Sequence, residues 1–204
     1  MAFLVFFILS SLIIKAQNIL ETHIQADGIT SISIDGNDIF KISVLTSKTN
    51  QIKMTSTLDG EYQNDFQMVS IKENHTLNLS LEHLSFMEIP DDKRNAHKVI
   101  AATLYLEIPE QLIVTVLSDI ASVDLNGEFK SLFIELQQGK CSINGNVETA
   151  TINTFDGDIS VITKSATVNA QSNHGKVDLD KFYDLDAAWE LKSINGDITV
   201  EKQI

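Results

Sequence analysis

The sequence is poor in residues that staple or interrupt a fold. Of its 204 residues one is cysteine, Cys141, so no disulfide can close within the chain. Only Pro90 and Pro109 are proline. Basic residues are scarce, with 15 Lys and Arg against 28 Asp and Glu, a net charge of −13. Such a chain repels nucleic acid and anionic membrane surfaces, and neither is expected as a partner. No HExxH, no ligand-spaced Cys/His cluster and no GxSxG elbow occurs. No catalytic residue, metal or cofactor is therefore expected, and the five histidines read as solvated or turn residues. No glycine-rich stretch leads into a helical pattern, which sets aside a phosphate-cradling loop.

Long apolar runs are also lacking, with one exception at the start, MAFLVFFILSSLIIKAQ. Its apolar core, Ala2 to Ile14, is shorter than the ~20 residues that cross a bilayer as a helix. It fits a secretory signal peptide over residues 1–16, although its n-region holds no Lys or Arg. Cleavage after Ala16 would leave an exported chain with no membrane span, periplasmic or at the cell surface. No cysteine stands near that point to carry a lipid anchor.

What is present is a period. Gly139, Gly157 and Gly175 are eighteen apart, Ala121 stands eighteen before Gly139, and Gly196 follows after an insertion. Two places after this column stand Val123, Cys141, Ile159, Val177 and Ile198. Four places after it stand Leu125, Ile143, Val161, Leu179 and Val200. Five before it stand Val116, Ile134, Ile152, Ala170 and Leu191; seven before it stand Val114, Leu132, Ala150, Val168 and Trp189. These are two short period-two patterns per repeat, and period two puts each pair of columns on one strand face. One repeat cannot bury its apolar face or pair its backbone alone, and stacking answers both needs. The expectation is a parallel β-solenoid of about five 18-residue rungs over residues 113–204. The crossover rule favours right-handed winding. Gly139, Gly157, Gly175 and Gly196 are its structural corners, where a repeated tight turn requires φ > 0 or close backbone approach. Cys141 falls on an inward column and reads as a small core residue.

Residues 17–112 alternate without the period. Strands are expected near 29–35, 39–46, 51–58, 66–72, 76–82 and 99–108, as an antiparallel or mixed region capping the solenoid. The polar stretch SFMEIPDDKRNAHKV over 85–99 reads as a loop.

The march of DGDISV, HGKVDL and INGDITV after an N-terminal β region, with LYLEIPEQLIV leading in, resembles a bacterial adhesin-like β-solenoid family of unknown function. That family is related to the auto-transporter adhesin head GIN group. The resemblance covers most of residues 28–202 and rests on structural motifs. It implies export and an envelope or surface role, and it carries no catalytic residues.

Other chemistries leave weaker signals. Asp156, Asp158, Asp178, Asp180 and Asp197 cluster near turns, but the paired-glycine pattern of calcium rolls is absent. The position after the corner reads Lys140, Asp158, Lys176, Asp197, which in chain order alternates in sign and predicts a ladder of ion pairs. The outward columns read Thr115, Phe133, Thr151, Asn169, Glu190 and Leu117, Glu135, Asn153, Gln171, Lys192. They form no regular threonine array of the ice-binding kind. Phe182 and Tyr183, in the insertion KFYDLDAA, are the weak ligand-binding candidates, able to stack on a sugar or a partner surface. The reading is therefore an exported, non-catalytic scaffold whose partner is an envelope protein or a glycan. The alternative is a carbohydrate-binding or carbohydrate-cleaving module.

Overall fold

The alternating segments form strands throughout. The computed structural model describes residues 18–60, 64–84, 101–182 and 188–203. The expected signal peptide, the 85–99 loop and Tyr183 lie outside them. Among the described residues there are fifteen strands and no helix. They are β1 (Asn18–Gln25), β2 (Ser31–Asp35), β3 (Ile39–Ser47), β4 (Gln51–Asp59), β5 (Phe66–Glu73), β6 (Thr76–His83), β7 (Ala101–Pro109) and β8 (Ile113–Ser118). The later ones are β9 (Ser122–Gln138), β10 (Cys141–Asp156), β11 (Ile159–Thr163), β12 (Thr167–Ser172), β13 (Val177–Leu179), β14 (Ala188–Ser193) and β15 (Ile198–Lys202). Strand β1 was not expected from the alternation; it pairs antiparallel with β4 at the sheet edge.

All strands join one mixed sheet, which follows two ladders. One runs β1-β4-β7-β3-β9-β10-β11-β15-β13, the other β5-β6-β2-β8-β9-β10-β14-β12. Strands β9 and β10 serve both, the first halves in one ladder and the second halves in the other. The eighteen-residue period is the register of pairing: Cys141 lies beside Val123 on one side and Ile159 on the other. The parallel stack begins before the period does. Strands β2 and β3, from the aperiodic half, pair in parallel with β8 and β9. Antiparallel pairs are confined to β1, β4, β5, β6 and β7.

The inward columns meet in one buried cluster. Val114, Val116, Val123, Ile134, Cys141, Ile152, Val161, Leu191 and Ile198 are fully buried. Each such Val, Leu or Ile contributes roughly 1.5–3 kcal/mol relative to exposure.

One repeat departs from this, and with it the order of the stack. The last repeat in the chain, β14–β15, inserts between β10–β11 and β12–β13. Trp189 lies beside Ala150 on one side and Val168 on the other, and Ile198 lies between Ile159 and Val177. The reason is apolar content. Residues 188–202 carry Trp189, Leu191, Ile198 and Val200, all buried. Residues 167–179 carry Val168 and Ala170, which are half-buried, and Val177 and Leu179, which are 41% and 38% exposed. Placing the larger apolar set inside removes more surface from water.

Candidate functional site

The corners come first, because they hold the eighteen-residue spacing in place. An added Cβ at Gly157 would lie 1.9 Å from the Gly139 carbonyl oxygen, and one at Gly196 2.0 Å from that of Gly157. Close backbone approach, the second of the two expected reasons, excludes a side chain here. At Gly139 both reasons hold: φ is +98°, and a Cβ would stand 2.2 Å from the Ala121 carbonyl oxygen. In space the column runs Ala121, Gly139, Gly157, Gly196, Gly175.

Beside the glycines runs a hydroxyl column that the sequence reading missed. Ser118, Thr154, Ser172 and Ser193 each stand three residues before the corner position. Gly196 N–H donates to Ser193 Oγ at 2.8 Å, and Gly175 N–H to Ser172 Oγ at 2.9 Å. Ser172 Oγ in turn donates to the Gly196 carbonyl at 2.7 Å, and Ser118 Oγ to the Gly36 carbonyl at 2.8 Å. A sharp buried corner orphans one N–H and one C=O, and a hydroxyl is donor and acceptor at once. The signal was present as a Ser/Thr column at fixed offset. Ser193→Ala leaves the buried Gly196 N–H without its partner and is expected to lower stability by about 1–3 kcal/mol in urea denaturation. An unchanged midpoint would mean that the hydroxyl does not hold the corner.

The predicted alternation of charge is corrected by the order of the stack. With β15 between β11 and β13, the column runs Lys140, Asp158, Asp197, Lys176, so two aspartates are neighbours. Only one expected pair forms, Lys140 Nζ to Asp158 Oδ2 at 3.6 Å, and it is exposed. Such a pair contributes about 0–1 kcal/mol. The aspartates instead serve the backbone. Asp158 Oδ1 accepts Asp197 N–H at 3.0 Å, and Asp197 Oδ1 accepts Lys176 N–H at 2.7 Å. Among the described residues no group of three or more His, Cys, Asp or Glu is placed to hold a metal.

The described histidines are scattered. His75 Nδ1 lies 2.7 Å from the Gly28 carbonyl oxygen, His174 Nδ1 lies 2.7 Å from Asn195 Oδ1, and His83 sits edge-on to Phe66. Phe182 is half-buried against the core cluster. Cys141 is buried, as its column predicts, and burial, aided by Asp124, pushes its thiol up to about 12 from an ordinary 9.0. The raised value means that the folded state keeps the neutral thiol where the unfolded chain ionises. That contribution is whole below pH 9 and is lost as pH rises through about 12. Native protein at pH 8 is expected to resist a thiol reagent and to react fully in denaturant. Fast labelling of native protein would place Cys141 outside the core.

The outward side of β8, β9, β10 and β14 bears a groove of about 490 Å³. The ladder register brings Phe155 beside Ile194 and sets Leu117, Glu135, Asn153 and Lys192 in adjacent layers. Leu117 and Phe155 are 44% and 50% exposed. Sequence reading found one of these columns but treated it only as a failed threonine array.

These features define an all-β protein on a mixed sheet, built largely of parallel strands stacked in register. No protein-family model and no curated protein matches the sequence. Solved structures resemble the chain to differing degrees. One, described as a "putative cell adhesion protein" from Clostridium sporogenes, matches with a TM-score of 0.64 at 10% identity, covering 92% of this chain and 100% of that chain. Another, described as a "putative adhesin" from Bacteroides fragilis, gives a TM-score of 0.37 at 10% identity, over 92% and 98%. A third, described as a "Putative lipid binding protein" from Parabacteroides distasonis, gives 0.30 at 12% identity, over 92% and 97%. At these identities the likeness to the first is one of fold.

Proposed function

We propose that the chain is an exported, non-catalytic interaction scaffold of the cell envelope or surface, adhesin-like in role and related to the head GIN group. In this reading the eighteen-residue repeats of residues 113–204 wind as a right-handed β-solenoid into which the last repeat inserts, and the antiparallel strands of residues 17–112 cap it. The eighteen-residue parallel register supports the winding. The observation that carries the role is the fold shared with the Clostridium sporogenes cell adhesion structure over nearly the whole of both chains. The apolar start of the sequence supports export, and the structural employment of the corner aspartates and of the described histidines supports a scaffold.

The test is fractionation of the native organism with protease shaving of intact cells, followed by crosslinking. Export with cleavage on intact cells, or with protection until the outer membrane is opened, is the expected result. The second pattern would assign the periplasm. Retention in the cytoplasm would overturn the reading, and turnover of any purified polysaccharide would overturn its non-catalytic part.

A further inference from the structure

We propose that the groove around Phe155 binds a neutral oligosaccharide; this deepens the scaffold reading by naming the ligand class, and rests on it. A sugar ring offers an apolar C–H face and a rim of hydroxyls that both donate and accept. A site for it needs an exposed aromatic or aliphatic platform with free amides beside it. The groove has these parts. Phe155, Leu117 and Ile194 form its apolar floor. Asn153 and Gln137 line it, and among the described residues neither amide has a hydrogen-bond partner. Asn37 spends its Oδ1 on Asp119 N–H at 3.2 Å and keeps its amide N–H groups free.

Charge selects the class. The groove carries Asp119 and Glu135 against Lys192, whose ammonium is paired with Glu190 at 2.5 Å. The chain as a whole is at −13. Uronate or sulfated glycans would meet repulsion at both ranges, whereas a neutral chain meets none. The stacked strands add extent, because polar outward positions recur every ~4.8 Å along the ladder, which suits a polymer more than a single small molecule. The volume, about 490 Å³, takes a short segment of such a chain.

The test is a panel of neutral and anionic oligosaccharides, read by calorimetry with the purified full-length exported protein, its Phe155→Ala and Asn153→Ala variants, and Phe40→Ala. Phe40 is 61% exposed on β3 and outside the groove. Saturable binding of a neutral glycan is expected, weakened at least about tenfold by Phe155→Ala and unaffected by Phe40→Ala. All variants should keep the parent melting temperature, since these side chains are not core. No binding on the neutral panel, binding of anionic glycans only, or undiminished binding by both groove variants would overturn the proposal. A surface-exposed protein that crosslinks to an envelope protein but binds no glycan would reject this ligand and leave the scaffold reading standing. A cytoplasmic protein that still binds glycan would do the reverse.

Discussion

Deletion of residues 188–204 is expected to lower the melting temperature by more than 10 °C and to re-dock an upstream repeat. The deletion removes Trp189, Leu191, Ile198 and Val200 from the core and uncovers Ile152, Ile159 and Val161. At roughly 1.5–3 kcal/mol per side chain the loss is about 6–12 kcal/mol, an upper bound. For a chain of this size each kcal/mol is about 2–4 °C. Part of the loss is recoverable. Gly157 and Gly175 are eighteen apart, as Gly139 and Gly157 are, so residues 167–179 match the register of the face that β14–β15 vacates. Val168 and Ala170 would cover Ala150 and Ile152, though with less apolar surface than Trp189 and Leu191 provide. Hydrogen exchange checks this directly. Retained protection of the 168–171 amides in the truncated protein would show the re-docked register. Loss of that protection would show that β12 stands only on β14, and an unchanged melting temperature would mean that β14–β15 do not lie inside the stack.

Gly157→Val is the second large effect. The Cβ would arrive 1.9 Å from the Gly139 carbonyl oxygen, and that oxygen belongs to backbone in a packed corner that cannot swing aside. Shifting Gly157 itself would instead disturb the Thr154 and Ser193 hydroxyls, which lie 2.7 and 3.2 Å from the Gly157 carbonyl oxygen. The cost is expected to exceed about 4 kcal/mol, in the tail of point-mutant effects reserved for strained or overpacked sites. Ser160→Val, an exposed position three residues on, is the control and should shift stability by less than about 0.5 kcal/mol. If the valine variant is insoluble, Gly157→Ala reads the same contact, because the first methyl already meets the carbonyl. Equal melting temperatures for the alanine variant and the parent would show that the corner has room.

Much of the core was legible because period-two alternation and an eighteen-residue repeat are one-dimensional. A column of Val123, Cys141 and Ile159 says which side chains share a face and, through the period, which strands are neighbours. The turn glycines were legible for the same reason. The N-terminal strands from 31 to 83 could be placed within a few residues, since each alternates between hairpin-like turns. That β2 and β3 join the parallel stack could not be read, because no period links residues 31–47 to residues 113–126.

Order within the stack is where the sequence stopped. Local pattern shows that 167–179 and 188–202 are equivalent repeats able to occupy the same layer. Only the whole packed structure compares the two burials, and it puts Trp189 and Leu191 inside and leaves Val177 and Leu179 at the open end. That choice undoes the charge ladder, since Asp158 and Asp197 become neighbours and turn to backbone N–H groups instead of lysines. The groove is of the same kind. Phe155 and Ile194 are far apart in the chain and belong to repeats that are not consecutive, and they meet because the last repeat slid inward. By itself the sequence determined which residues turn inward and where the chain bends, because these follow from the spacing of neighbours. The tertiary structure decided which repeats touch and what surface they make together, because that depends on competing burials summed over the whole fold.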